Sequence, residues 1–190
     1  MTPLTEELKG VNLYLIGMMG AGKTSTGKLL AQSLGYRFFD TDALIEQVAG
    51  QSINEMFAEM GESEFRRWET QVLAELSAYK NLAIATGGGI VVNPMNWSYL
   101  HHGLVIWLDA PIQLLTQRLE QAQNRPLLQV VDRQQQLTHL FDQRQKLYAQ
   151  ADIKVTITAD QTRSQAAESI LEAIADTLKS QQLPSPPSVH

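Results

Sequence analysis

The chain has no cysteine in 190 residues, so neither a disulfide framework nor thiol chemistry operates in it. It has no apolar run approaching the ~20 residues of a membrane-spanning helix. It has no basic stripe: 15 Lys and Arg face 20 Asp and Glu, for a net charge of −5, which argues against a nucleic-acid partner. Met1 to Gly10 has neither the basic start nor the apolar centre of a secretory leader, so a cytoplasmic protein is expected. No internal repeat is present. The remaining composition, 44% hydrophobic and 18% charged, is that of a globular protein, and the length suits one domain with a substantial core.

Short apolar runs alternate with helical patterns. The expected strands are Val11–Ile16, Tyr36–Phe39, Leu82–Thr86, Leu104–Leu108 and Ile153–Thr158. Phe65, Trp68, Val72, Leu76 and Tyr79 mark one face of a long helix. Ile112, Leu115 and Leu119 mark another, with Pro111 near its first turn, and Ala167, Ile170, Ile174 and Leu178 mark a third. Ser52-Ile53-Asn54-Glu55 reads as a capping box that opens a short helix. This alternation predicts an α/β domain with a five-stranded, mainly parallel sheet and helices on both faces. The domain is expected over 10–180, after an N-terminal extension (1–9) and before a disordered Pro-rich tail (181–190). A polar stretch, about 121–135, interrupts the pattern around Arg125 and is expected to act as a lid.

Gly17-Met18-Met19-Gly20-Ala21-Gly22-Lys23-Thr24 fits the phosphate-binding P-loop, and it has the required context: a buried strand before it and a helix from Thr24 to Leu34 after it. Glycines let successive backbone N–H groups point inward at phosphate oxygens, and the helix N-terminus favours an anion. Lys23 would reach the β- and γ-phosphates, and the Thr24 hydroxyl would ligate Mg²⁺. A kinase also needs a second metal-directed carboxylate, an acceptor site and further cations. Asp40-Thr41-Asp42 closes the second strand, so both carboxylates are expected at the sheet's carboxyl edge, on one side of the strand end. Alone, Asp40 would read as a helix cap. Thr86-Gly87-Gly88-Gly89 follows the third strand at the same edge, where ligands of open parallel sheets bind.

Other candidates have ordinary explanations. Asp109 ends an apolar run as a second metal carboxylate would, but Ala110-Pro111 and a helix follow, so a structural cap is expected. His101 and His102 are adjacent on a helix end and point ~100° apart, which does not suit chelation. Arg144 shares a stripe with Leu137, Leu140, Phe141 and Tyr148, where a charge needs a buried partner or a ligand. Arg66 has an i,i+4 partner in Glu62. Arg125 is either solvated or a lid cation.

Taken in order, the P-loop, Asp40-Thr41-Asp42, Gly61-Glu62-Ser63-Glu64-Phe65-Arg66-Arg67-Trp68-Glu69, Gly87-Gly88-Gly89, Arg125-Pro126-Leu127-Leu128 and Arg144-Gln145-Lys146-Leu147-Tyr148 resemble the shikimate kinase family over roughly Gly10 to Leu178. The resemblance implies a P-loop, nucleoside-monophosphate-kinase-like fold with a lid. It implies ATP-dependent phosphorylation of the 3-hydroxyl of shikimate, in the pathway to chorismate and the aromatic amino acids. Gly20, Ala21, Gly22, Lys23, Thr24 and Ser25 would hold the nucleotide phosphates, and Arg118 would stack on adenine. Thr24 would ligate Mg²⁺, with Asp40 reaching it through water. Asp42 would bind the acceptor hydroxyls and take the proton. Arg66 and Arg144 would clamp the shikimate carboxylate beside Gly88 and Gly89, and Arg125 would close onto the phosphates. The loop Thr158-Ala159-Asp160-Gln161 departs from the family pattern. The expected partners are ATP and shikimate alone, with no membrane or nucleic acid, and the expected state is a monomer. The alternatives are another small-molecule P-loop kinase or a non-catalytic nucleotide-binding regulator.

Overall fold

Every residue of β1 (Leu13–Ile16) and β3 (Leu82–Ala85) is buried, although alternate side chains of a strand point to opposite faces. Both faces of the sheet are therefore covered at its centre, as in parallel sheets generally. In the computed structural model, which describes residues 3–121 and 133–182, five parallel strands run in the order β2-β3-β1-β4-β5. The edge strands are β2 (Arg37–Asp40) and β5 (Ile153–Thr156), and β5 buries only alternate residues. β4 (Leu104–Asp109) completes the sheet. The expected strands are all present, within two residues at each end.

Helices alternate with the strands. α1 (Pro3–Leu8) precedes β1, and α2 (Lys23–Leu34) follows it. α3 (Thr41–Ala49) and α4 (Ile53–Ser77) separate β2 from β3, and α5 (Pro94–Leu100) precedes β4. α6 (Ile112–Gln121) and α7 (Arg133–Tyr148) separate β4 from β5, and α8 (Arg163–Gln182) closes the chain. α2 packs on β1, β2, β3 and α8, and α8 packs on β5. No described helix is long and apolar enough to cross a membrane. Arg125 and the other residues of 122–132, the core of the expected lid, lie outside the described residues, as do 183–190 of the expected tail. Of the expected lid, Arg133 to Gln135 form the first turn of α7. Of the N-terminal extension, Leu8 is buried in the core and the Thr5 hydroxyl donates to Leu34 O.

One expectation at the start of α4 holds, and two others need correction. The capping box is present, with Ser52 accepting from Glu55 N and Glu55 accepting from Ser52 N. The helix it opens is short, as expected: α4 breaks at Gly61 (φ 78°, ψ 170°), and a second, longer helix follows. Tyr79 lies past the end of α4 and is 58% exposed, so it leaves the expected stripe. Asp109 forms an ion pair with Lys154 Nζ of β5 at 2.9 Å, and its role is that cross-strand pair rather than the expected cap.

Buried Asn12 ties three segments together before β1 begins: its Nδ2 donates to Tyr79 O at 2.8 Å and its Oδ1 accepts from Leu82 N at 3.0 Å. Asn12→Ala leaves both backbone groups without that partner. We expect a loss of about 2 kcal/mol, seen as a fall in Tm of roughly 4–8 °C for a chain of this size. An unchanged melting curve would mean that water replaces the amide.

Candidate active site

The three loops that carry chemistry meet because of the strand order. β2, β3 and β1 are neighbours and parallel, so Asp40-Thr41-Asp42, the glycine run and the P-loop all leave the same carboxyl edge. They surround a cleft of about 920 Å³, within the range of ligand sites.

On the nucleotide side, Gly20 and Gly22 take positive φ (82° and 97°), which turns the loop into the N-terminus of α2. Gly22 caps α2, and no acid in its first turn opposes the helix dipole. Lys23 is 8% exposed, and its Nζ donates to Gly17 O and Met18 O, each at 2.9 Å. Ser25 Oγ donates to Gly22 O. Arg118 arches over the loop and donates to Gly20 O at 3.1 Å. Desolvation, and then the charge of Arg163 beside it, lower the pKa of Arg118. Arg163 and Gln161 line the same cleft. Arg163 escaped the sequence reading because it lies just past the irregular loop, with no motif around it.

Asp40 has two hydrogen-bonding tasks. Asp40 Oδ1 accepts from Asp42 N and Ala43 N and so caps α3, while Oδ2 accepts from Thr24 Oγ1 at 2.6 Å. The cap reading and the metal reading are therefore compatible. Capping also corrects the geometry of Asp42: the strand stops at Asp40, and Asp42 projects from the first turn of α3. It still reaches the cleft. Two hard oxygens beside the P-loop, from Thr24 and Asp40, suit Mg²⁺.

In the turn after β3, the glycines are required by crowding rather than by backbone conformation. A Cβ on Gly87 would lie 2.6 Å from both Asp42 Oδ1 and Glu69 Oε1, and one on Gly89 would overlap the Arg66 guanidinium. Arg66 binds Glu62 at 2.9 Å and also Glu69. Burial opposes its charge, but the carboxylates of Glu69 and Glu62 more than offset that and raise its pKa. Arg144 donates to Gly88 O at 3.3 Å, and no carboxylate lies within ion-pair distance of it among the described residues. Its stripe holds as expected, with Leu137 and Tyr148 buried. The His101-His102 pair sits at the exposed end of α5, and the described residues contain no metal-ligating cluster of His, Cys, Asp and Glu.

Glu69 is the site residue that sequence reasoning missed. It lies i+4 from Phe65 and i−3 from Val72, on the buried face of α4, where Trp68 had been placed. It is 1% exposed, and its Oε1 has no hydrogen-bond partner among the described residues. Desolvation raises its pKa to about 6, against the pull of Arg66, with Asp42 raising it further. A carboxyl whose folded pKa exceeds its unfolded one adds stability that is present below about pH 4.5 and lost as pH rises through about 6. Glu69→Gln removes that dependence. The stability of wild type relative to Glu69→Gln should therefore fall by about 1–2 kcal/mol between about pH 4.5 and about 7. Urea titrations across that window measure it, and a constant difference would mean that Glu69 titrates normally.

Residues 19–175 match the sequence model of a family described as shikimate kinase. The shikimate kinase of Thermosynechococcus vestitus is 54% identical over 176 residues, 93% of this chain and 96% of that one. The shikimate kinase of Synechococcus elongatus is 52% identical over 187 residues, 98% of each chain. A solved structure of shikimate kinase from Acinetobacter baumannii in complex with shikimate covers 96% of this chain and 100% of its own, with a TM-score of 0.82 at 39% identity. A match over most of the chain in sequence, joined to the same architecture, establishes that this chain belongs to the shikimate kinase family.

Proposed function

We infer that the chain transfers the γ-phosphoryl group of ATP to the 3-hydroxyl of shikimate, giving shikimate 3-phosphate and ADP, and we propose the following roles for its residues. The observation that carries the reading is that one cleft is lined by the P-loop, Asp42 and Gly88, with Arg144 bonded to the Gly88 carbonyl and the Arg66 guanidinium packed against Gly89.

The backbone of Gly20, Ala21 and Gly22, with Lys23, Thr24 and Ser25, holds the phosphates at the helix N-terminus. Thr24 directly, and Asp40 through water, would hold Mg²⁺, which supplies charge neutralisation at the phosphates when bound. Asp42 accepts the acceptor hydroxyl's hydrogen bond and takes its proton. Arg66 and Arg144 grip the shikimate carboxylate, for which a planar guanidinium fork is better suited than an ammonium. Arg118 contacts adenine. Arg125 is proposed, on its motif alone, as the lid cation. We extend the proposal to a cytoplasmic monomer without nucleic-acid or membrane partners, a reading supported by the acidic balance and the absence of cysteine. Release of ADP from ATP and Mg²⁺ only when shikimate is present tests the reaction directly. Shikimate-independent release would favour another acceptor.

Two variants test the halves separately. Lys23→Ala should stay folded and lower kcat by roughly 10²-fold or more, as loss of a preorganised donor does. Near-normal turnover would remove Lys23 from the mechanism. Arg144→Lys should raise the KM for shikimate by about one to two orders of magnitude, matching the ~1.5–3 kcal/mol of a charged hydrogen bond, with little change in KM for ATP. If wild type phosphorylates shikimate methyl ester as well as the acid, the carboxylate clamp is wrong.

A further inference from the structure

The carbonyl of Gly88 is a junction between three parts of the site. Tyr148 Oη donates to it at 2.6 Å, and Arg144 Nη1 donates to it at 3.3 Å. Both residues lie on one face of α7, one turn apart. The P-loop packs behind the same turn: a Cβ on Gly88 would lie 3.4 Å from Met19 N, and the sulfur of Met18 is 3.6 Å from Tyr148 Oη. Tyr148 is fully buried, and its ring stacks on Trp107 of β4 with centroids 5.9 Å apart. Among the described residues, neither the Gly88 nor the Gly89 N–H donates to a protein acceptor. The turn thus presents its donors while its carbonyl is held from behind.

We propose that the Tyr148 hydroxyl is a positioning group for the acceptor clamp: it satisfies the Gly88 carbonyl so that Arg144 is available to the substrate's carboxylate. With only Arg144 on that carbonyl, moving the guanidinium to a ligand would strand a half-buried acceptor. With Tyr148 present, the carbonyl keeps a partner when Arg144 turns to the ligand. The hydroxyl suits this task because burial pushes its pKa up to about 12, so the proton stays in place. The inference rests on the reading of Arg144 as a carboxylate ligand.

Tyr148→Phe removes the hydroxyl and keeps the ring on Trp107. We expect kcat/KM for shikimate to fall about tenfold, the scale of one buried hydrogen bond, while KM for ATP moves less than about twofold. The shikimate-induced rise in Tm should shrink and the ATP-induced rise should not. In an Arg144→Ala background, Tyr148→Phe should change kcat/KM for shikimate by less than about twofold, because the two groups act as one unit. A purely structural tyrosine would instead lower stability and affect both substrates alike, which overturns the proposal. So does a loss of the same size in both backgrounds, which leaves the clamp itself standing. Wild-type shikimate kinetics in Arg144→Ala alone would overturn the clamp, and this inference with it.

Discussion

At Gly87 and Gly89 a methyl group would enter space already held by the carboxylates of Asp42 and Glu69 and by the Arg66 guanidinium. The meeting of these groups depends on that bare backbone. Two acids and a base from two helices, α3 and α4, converge there because the turn after β3 has no side chains to keep them apart. Thr41, fully buried one residue before Asp42, fixes the approach by accepting the Gly87 N–H at 3.0 Å. The first turn of α3 therefore carries both the bond that holds the glycine turn and the carboxylate that faces the cleft.

The same turn joins the two halves of the cleft. β3 lies between β2 and β1, so its carboxyl end is flanked by the Asp40–Asp42 segment on one side and by the P-loop on the other. Thr86 donates twice to Leu15 O, at the end of the strand that leads into the P-loop. Phosphoryl transfer requires little covalent chemistry from the protein but demands accurate placement of donor and acceptor. A single rigid sheet edge that carries both sites meets that demand more directly than two sites on separate loops.

Most of this architecture was legible in local patterns. The strands, the P-loop, the capping box and the stripe on α7 all have short-range signals of spacing and residue type. Strand order has none, and it is strand order that brings positions 17–24, 40–42 and 86–89 together. Asp42 falls on the strand in the sequence reading because the P-loop nearby favours a metal role for Asp40 over a cap, whereas Asp40 also ends the strand by capping α3. Glu69 was overlooked for a different reason. Trp68 beside it supplies an apolar residue for the same stripe, and one position around a helix is only ~100°. The carboxylate on the buried face was the same kind of signal as Arg144, a charge where a charge is costly. Asp109 was read as structural, and it is, through a partner on β5 that no local pattern could supply.

A buried ion pair such as Arg66 with Glu69 is a weak source of stability, because desolvating both charges offsets their attraction. Its presence is better explained by orientation. Three N–H groups of Arg66 donate to Glu62 and Glu69, which fixes the plane of the guanidinium and leaves the rest of its fork for other acceptors. Arg144 is held more lightly, by a long bond to the neutral carbonyl of Gly88 and by the Tyr148 hydroxyl beside it. Both cations are thus already aimed, one by opposite charge and one by a backbone dipole. An anion that binds between them exchanges existing partners and does not have to order two long side chains, so less conformational entropy opposes its binding. The charge balance points the same way. Asp42 and Glu69 together offset Arg66 and Arg144, so the pocket can keep four ionisable groups near one strand end without a large net field opposing its own folding.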